Sequence, residues 1–369
     1  MGMKLILLGF PHTRFNDIEF PHCAFTAKAV RLVEMLRTEL GAHVTVLWGG
    51  DTPTNDCDDY VPLLSDIEQA KFFGPDLPAT ILNLDWNPET AHWRMVNHRA
   101  AAWLHAWAEP GQIVMTMSGS NHDGLYHELP HLTWVEPCVG YSGVSMKTKA
   151  KVFESFAWMH HIYGRYGIND GCSLDAVIPN FYRPDDFHTA DDQGYLLFIG
   201  RAIRRKGVEQ VAQIARYTGK PLVIAGQGSK LDNRHWYWVT DDGCDLDVSD
   251  LDVHHVGTVR AEARAELYAG ASCTLVPTLY IEPWGGVFAE AMLSGVWPVT
   301  TNWGGFTEWV PPECRISRAE DGAEAVYWAI THRGRYTDGT DLREFAASSF
   351  GLKTCAGLYS AWLDRLGRE

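Results

Sequence analysis

Two glutamates, Glu282 and Glu290, bracket a Pro-Trp-Gly-Gly turn in "YIEPWGGVFAEAMLSG", residues 280–295. At helical spacing Val287, Glu290, Ala291 and Ser294 share one stripe, which puts a carboxylate where an apolar side chain is expected. An unpaired buried carboxylate is costly, so Glu290 needs a hydrogen-bonding partner, from the protein or from a ligand. Upstream, "FIGRAIRRKG" places Arg201 directly after Gly200 and Lys206 beside Gly207. Cations between a strand end and a helix N-terminus suit an anion such as phosphate, since side chains and backbone dipole favour negative charge together. A solvated basic turn has the same composition. "IAGQG" adds Gly226 after another apolar run, but it lacks the full G-x-G-x-x-G and following acid of a dehydrogenase fingerprint.

The elements that must position these residues alternate along the chain. "KLILLGF", the helical "FTAKAVRLVEMLRTEL" and "HVTVLWGG" read as strand, helix and strand, a βαβ unit with parallel strands. "TILNLD", "QIVMTMS" and "LTWVEP" are further strand candidates; "VFESFAWMHHIYGRYG" reads as a helix and "DAVIPNF" as a strand. After a break at "YRPDDFHTADDQG" the pattern restarts with "GYLLFIG", "VEQVAQIARYTG" and "PLVIAGQG". "VHHVG", "AEARAELYAGA", "CTLVPT" and "VWPVTTNWGG" continue it, and the polar stretch of about Asn233 to Asp252 reads as a solvated insertion. Two doubly wound α/β domains follow, with ligands expected at the carboxyl ends of their strands.

The 369 residues exceed what one core usually supports. A net charge of −15 argues against non-specific nucleic-acid or acidic-membrane binding as the main activity. The eight cysteines are scattered without a C-x-x-C pair, as in a reduced cytoplasmic protein with neither a disulfide frame nor a zinc site. No apolar run approaches the length of a membrane span, and "KLILLGF" is too short for a signal segment.

Taken in order, "FIGRAIRRKG", "LVIAGQG", "VHHVGTV", "ELYAGASCTLVPT" and "EPWGGVFAEAMLSGVWPVTTNWGG" resemble the donor domain of retaining nucleotide-sugar glycosyltransferases of the GT-B fold, family 4 or group 1. The resemblance runs from about Gly194 to Val310, and the E-x7-E pair Glu282 and Glu290 is its most telling part. It implies an α/β fold of two Rossmann-like α/β/α domains facing each other across a cleft. Residues 1–185 would bind the acceptor and 186–349 the donor, with a final helix at about 350–369 packing back on the first domain.

The resemblance also implies roles. Arg201 and Lys206 would neutralise the diphosphate and its leaving charge. Glu282 would hold donor-sugar hydroxyls, and Glu290 the ribose hydroxyls. The amides of Gly286 and Val287 would meet phosphate or sugar oxygens, with Gly285 permitting close approach. Val256, Gly257 and Thr258 would meet the base through backbone, and Gly200 and Gly226 complete the donor set. Fixed cations and amides can stabilise a departing diphosphate. No D-x-D motif lies in a plausible donor loop, so neither metal nor cofactor is expected. Retention needs no protein nucleophile: the acceptor attacks from the face the diphosphate leaves.

The first half carries weaker signals. "GFPHTRFNDIEFPHCAFTAKAV" stands where the family has a Gly-rich loop. With "VEPCVGYSG" and "VIPNFYRPDDF" it resembles a subgroup of tailed bacteriophages. That implies the cytoplasm of a host cell and, among acceptors, a hydroxylated base of phage DNA. A glycan, lipid or small molecule is the alternative acceptor, and a non-catalytic nucleotide-sugar-binding module the alternative class. His122, after a strand end, is the candidate catalytic histidine; His12 and Glu136 are acceptor-side candidates. Lys147, Lys149 and Lys151 form a small basic cluster that suits a groove or a solvated face equally, and Trp103 and Trp107, at i,i+4, read as core or an interdomain seam, with stacking on bases or sugars as the lesser reading. The oligomeric state is left open.

Overall fold

A computed structural model describes residues 2–16, 20, 23–51, 57–75, 77, 85–232, 237–240 and 242–367. The chain divides into two compact units, Met1–Phe181 with Leu352–Glu369, and Tyr182–Gly351.

Unit 1 begins with β1 (Lys4–Leu8), α1 (Ala24–Thr38), β2 (His43–Gly49) and β3 (Asp59–Leu64). Next come α2 (Asp66–Phe73), α3 (Ala91–Trp107), β4 (Ile113–Thr116), α4 (Asp123–Glu128) and β5 (Thr133–Val139). β6 (Ala150–Phe153), α5 (Phe156–Tyr166) and β7 (Ala176–Val177) follow. All seven strands pair in parallel, in the order β3-β2-β1-β4-β5-β6-β7. Leu5 to Leu8 are buried without alternation, as expected of a strand covered on both faces. Strand order reverses between β1 and β4, the switch point where such sheets open a crevice.

The segment read as one helix from Val152 is split. Val152 and Phe153 finish β6, and Ser155 caps α5 by accepting from the Trp158 amide. The strand expected at "TILNLD" lies largely on residues outside the described ones. Trp107 does not join the core: it is 71% exposed at the end of α3, and Trp103 packs only partly against the neighbouring core.

Unit 2 runs β8 (Tyr195–Ile199), α6 (Val208–Thr218) and β9 (Leu222–Ala225). Then come β10 (Ser229–Asp232), β11 (Tyr237–Thr240), β12 (Asp245–Asp247), β13 (Val253–Gly257) and α7 (Ala261–Gly270). β14 (Ala271–Val276), α8 (Gly286–Leu293), β15 (Pro298–Thr301), β16 (Arg315–Ile316), α9 (Gly322–Thr331) and α10 (Leu342–Phe350) complete it. Six strands form a parallel sheet in the order β13-β9-β8-β14-β15-β16, with its switch point between β8 and β14. α6 is a plain amphipathic helix: Val208, Val211, Ala212, Ile214 and Ala215 face inward, and Gly219 ends it in the left-handed region at φ 64°.

The polar insertion is not a solvated loop. β10, β11 and β12 pair as a separate antiparallel sheet, and Trp238, Cys244 and Val248 reach the core of the unit. Its acids serve as anchors: Asp250 pairs with Arg216 at 2.8 Å, and Asp242 accepts from the Arg204 amide at 2.8 Å.

The last helix, α11 (Leu352–Leu366), belongs to unit 1. Tyr359 donates its hydroxyl to the Pro137 carbonyl at 2.7 Å and Trp362 its indole N–H to the Leu174 carbonyl at 2.8 Å. The eight cysteines are free thiols, and among the described residues no helix is long and apolar enough to cross a membrane.

Candidate functional site

The residues singled out in unit 2 lie at or just beyond the carboxyl ends of β8, β9, β13 and β14. Gly200 follows β8, Gly226 follows β9 and Gly257 ends β13, and main-chain bonds lace the three loops together. The Gly226 amide donates to Gly257 O at 2.7 Å, the Gly200 amide to Ala225 O at 3.0 Å and the Ala202 amide to Gln227 O at 2.9 Å. Gly226 stands at φ 127°, and a Cβ there would sit 2.0 Å from Gly200 O, so only glycine lets these strand ends close up. Val256 and Thr258 are exposed on the same rim.

The turn after β8 meets the segment after β14 at the switch point. A short 3-10 turn, Arg204–Lys206, precedes α6, and Gly207 (φ 79°) packs so tightly that a Cβ would meet Pro277 O at 2.0 Å. The Leu279 amide donates to Arg205 O at 2.9 Å. Those contacts bring Lys206 Nζ to 2.9 Å from Glu282 Oε2. The Tyr280 ring lies beneath both cations, with Lys206 Nζ 4.9 Å and the Arg205 guanidinium carbon 4.2 Å from its centroid. Burial alone would lower the basicity of Lys206, but the Glu282 carboxylate and Tyr280 outweigh it, and the ammonium is held above the usual lysine range. Burial, with Glu282 adding to it, keeps the Tyr280 phenol protonated. Arg201 lies half-buried at the start of the same loop.

α8 rises from that rim. Its sequence is apolar almost throughout, and Phe288 to Leu293 are all buried, as fits a helix enclosed on every side. Gly285, at φ 89°, makes the turn into it against the Phe306 ring, and Gly304 and Gly305 admit the Glu282 and Pro283 backbone. Gly286 leaves room for the Tyr182 hydroxyl, which would lie 2.3 Å from a Cβ. Gly286 and Val287 thus present the first amides of α8 beside Tyr182.

Glu290 has a partner within the protein. Its Oε2 accepts from Arg264 Nη2 of α7, with the Glu290 side chain 6% exposed and that of Arg264 32% exposed. Tyr268, one turn further along α7, is fully buried; burial and the Glu290 charge hold its phenol protonated. The Arg264 charge is reinforced by Glu290, Tyr268 and Tyr182 against the effect of burial. Arg264, Tyr268, Tyr182 and Tyr280 were not singled out in the sequence. The one signal for the first two was their i,i+4 spacing in "AEARAELYAG".

In unit 1 His12 and His122 follow the switch strands β1 and β4 and Glu136 lies within β5, but the three do not make an open constellation. His122 is 0% exposed. Its Nδ1 lies 2.7 Å from Asn97 Oδ1 and its Nε2 2.8 Å from Ser118 Oγ. Asn97 uses its amide N–H on Asn121 O, so Nδ1 carries the ring proton. Burial holds the pKa of the ring at about 3, and it is neutral. His122 therefore offers no exposed edge, and its hydrogen bonds tie the loop after β4 to α3.

His12 is buried among aromatic rings, Phe10 at 5.2 Å and Trp86 at 5.9 Å. The loop after β1 is an aromatic clasp: a Cβ on Gly9 would fall 1.8 Å from the Trp48 ring, and Trp48 donates to Thr13 Oγ1 at 3.1 Å. Glu136 is fully buried and accepts from Tyr141 (2.6 Å), the Ser145 amide (2.9 Å) and Thr148 (3.0 Å). Burial raises its pKa to about 7 despite those bonds. It pins the loop after β5. The lysine cluster is dispersed: Lys147 pairs with Asp123 at 3.6 Å and Lys151 is buried in β6. A separate buried pair, Lys28 to Glu154 at 2.7 Å, joins α1 to the end of β6.

Comparison with known proteins bears on unit 2 most directly. Residues 184–314 match the family model described as glycosyl transferases group 1. A stretch of 150 residues is 33% identical to an uncharacterized glycosyltransferase of Methanocaldococcus jannaschii; it covers 38% of this chain and 35% of that protein, so the match spans about a third of the relative. Sucrose-phosphate synthase from Thermosynechococcus elongatus is similar over 99% of both chains, with a TM-score of 0.67 at 16% identity. AviGT4, a glycosyltransferase involved in avilamycin A biosynthesis, matches 99% of this chain and 98% of its own, with a TM-score of 0.64 at 19% identity. HepE of Anabaena, solved in complex with UDP-glucose, matches 98% of this chain and all of its own at 11% identity and a TM-score of 0.67. The chain has the two-domain Rossmann-like fold of GT-B glycosyltransferases, and its residues 184–314 carry a glycosyl transferases group 1 domain.

Proposed function

We propose that this protein is a retaining glycosyltransferase that moves a sugar from a nucleoside-diphosphate sugar to a hydroxyl acceptor without a metal ion. The observation that carries the reading is the placement of Lys206 and Glu282, in contact at the unit 2 switch point, with the first amides of α8 on the segment that follows Glu282. All of these lie within the stretch matched to the group 1 domain. The HepE complexes with UDP-glucose and with UDP lend support, since they place that kind of donor on a protein of the same fold.

In this reading Arg201, Lys206 and the amides of Gly286 and Val287 take the diphosphate, and fixed positive charge stabilises the leaving group. Glu282, held by Lys206, meets sugar hydroxyls. Glu290 meets the ribose diol, and the backbone at Val256, Gly257 and Thr258 meets the base. The bond between the anomeric carbon and the diphosphate oxygen breaks, and one to the acceptor oxygen forms on the same face. The acceptor proton passes to a donor phosphate oxygen. His122 and Glu136 act as loop anchors, because both are buried and fully engaged.

Purified protein incubated with UDP-, GDP- and ADP-sugars should release nucleoside diphosphate slowly even without acceptor, with or without EDTA. Protein that binds no nucleoside diphosphate and turns over no donor overturns the enzyme reading, and binding without turnover assigns a non-catalytic module. A hydroxylated base of phage DNA is the proposed acceptor. Mass spectrometry of hydroxymethylated DNA, free nucleosides and glycans after incubation tests it, and a gain of mass on a non-DNA acceptor alone sinks it.

A further inference from the structure

We propose that Arg264 is the positioning residue for ribose recognition: it holds the Glu290 carboxylate in place and oriented, so that the site discriminates a ribonucleotide from its 2′-deoxy form. The inference rests on the nucleotide reading of unit 2 and adds a residue to it. Glu290 is almost wholly withdrawn from water, yet it sits on a helix whose other inward side chains are apolar. A carboxylate in such a place calls for a partner with a charge or donors to offer. Arg264 is the cation bonded to it, delivered from α7, the helix that starts just beyond the rim residues Val256 to Thr258. The Glu290 side chain is nearly covered while that of Arg264 is about one-third exposed.

The acceptor count makes this arrangement specific. An ionised carboxylate has about four lone-pair positions. Arg264 takes one on Oε2, and Tyr268 stands beside the group with its phenol protonated. The positions that remain suit the two hydroxyls of a vicinal diol. The groups facing Glu290 from the packed elements are Arg264 and Tyr268 of α7, with Tyr182 beside Arg264. Arg264 is the permanent charge in this set, and it also offsets repulsion between Glu290 and an incoming diphosphate.

The experiment uses the full chain and whichever of UDP, GDP and ADP binds best, each paired with its 2′-deoxy form, by calorimetry. Wild-type protein is expected to prefer the ribonucleotide about tenfold or more, the range of a charge-assisted hydrogen bond. In Arg264→Leu the preference should collapse to within about threefold, and Arg264→Lys should restore most of it. A thermal melt accompanies each variant. If Arg264→Leu does not fold, Arg264→Gln against Arg264→Lys makes the same comparison. An unchanged ribose preference in the neutral variant overturns the role of Arg264 while leaving the nucleotide site standing. Wild-type protein that binds none of the three diphosphates overturns the site and this role together.

Discussion

Lys206 and Glu282, 76 positions apart in sequence, meet at 2.9 Å where the turn after β8 and the segment after β14 converge. Neither is fully exposed, and Tyr280 lies against the ammonium. The pair holds a cation and an acceptor ready side by side before any ligand arrives. In the proposed transferase that would be preorganisation: positive charge would await the departing diphosphate beside a carboxylate placed to accept from hydroxyls.

Replacing Lys206 with Ala removes charge that matters most as the leaving group departs. Turnover of the sugar donor should fall by roughly 10²–10³, the usual loss when one such group is removed. The affinity for the nucleoside diphosphate should fall less. Steady-state kinetics alongside calorimetry separates the two, and wild-type turnover in Lys206→Ala excludes the assignment.

Glu290→Ala should act the other way. It deletes the proposed ribose acceptor and takes the Glu290 carboxylate from Arg264, so nucleotide affinity should drop about tenfold or more. The fluorescence or heat of UDP, GDP and ADP binding gives the number. Equal affinity in both proteins rules out a ribose contact at Glu290.

Much of this site was legible because its chemistry is local. "FIGRAIRRKG" and "EPWGGVFAEAML" each keep their charged residues and glycines within a few positions, at strand ends that periodicity can find. The partner of Glu290 was not, since Arg264 lies 26 residues away on a different helix and pairs only once α7 and α8 pack. The same holds for Lys28, which looks like a surface residue in "FTAKAVRL" but is buried against Glu154, 126 residues on. The polar insertion misled because its ladder is short and its acids are many, and only a few residues, Trp238, Cys244 and Val248, carry it into the core. His122 followed a strand end as a catalytic histidine should, and burial among Asn97, Ser118 and Trp93 is invisible in composition.

Gly226→Ala tests the laced strand ends. The new Cβ would meet main chain, which cannot rotate away, at a φ that L-residues avoid. A loss of at least about 3 kcal/mol in unit 2 is expected. Gly219→Ala is the control. It has the left-handed φ but open space around it, and should cost about 1 kcal/mol. Denaturant unfolding compares them, and equal losses would show that packing at Gly226 contributes nothing.

His122 supplies a pH signature. Its folded pKa of about 3 lies below the usual histidine value of 6.5, so the unfolded chain takes up a proton that the native ring refuses. The contribution of the neutral ring to stability is complete above pH 6.5 and is lost as pH falls toward 3, at up to about 1.4 kcal/mol per unit. Glu136, raised to about 7 from 4.5, works in the opposite sense, losing stability as pH climbs through that interval. His122→Gln removes only the first effect, so its melting temperature should fall less than that of the wild type between pH 7 and pH 5. Parallel curves would mean that His122 titrates normally.

The return of α11 to unit 1 has a consequence for how the chain is made. Unit 2 is one unbroken stretch, whereas unit 1 is closed by a helix that follows unit 2 in the sequence. Leu32, Val33 and Leu36 of α1 share a core with Tyr359, Trp362 and Leu363, so on the ribosome α1 waits for α11. Unit 1 therefore begins before unit 2 and is completed after it, and a nascent chain stopped at Gly351 carries an uncovered apolar seam that a chaperone or a second chain can find.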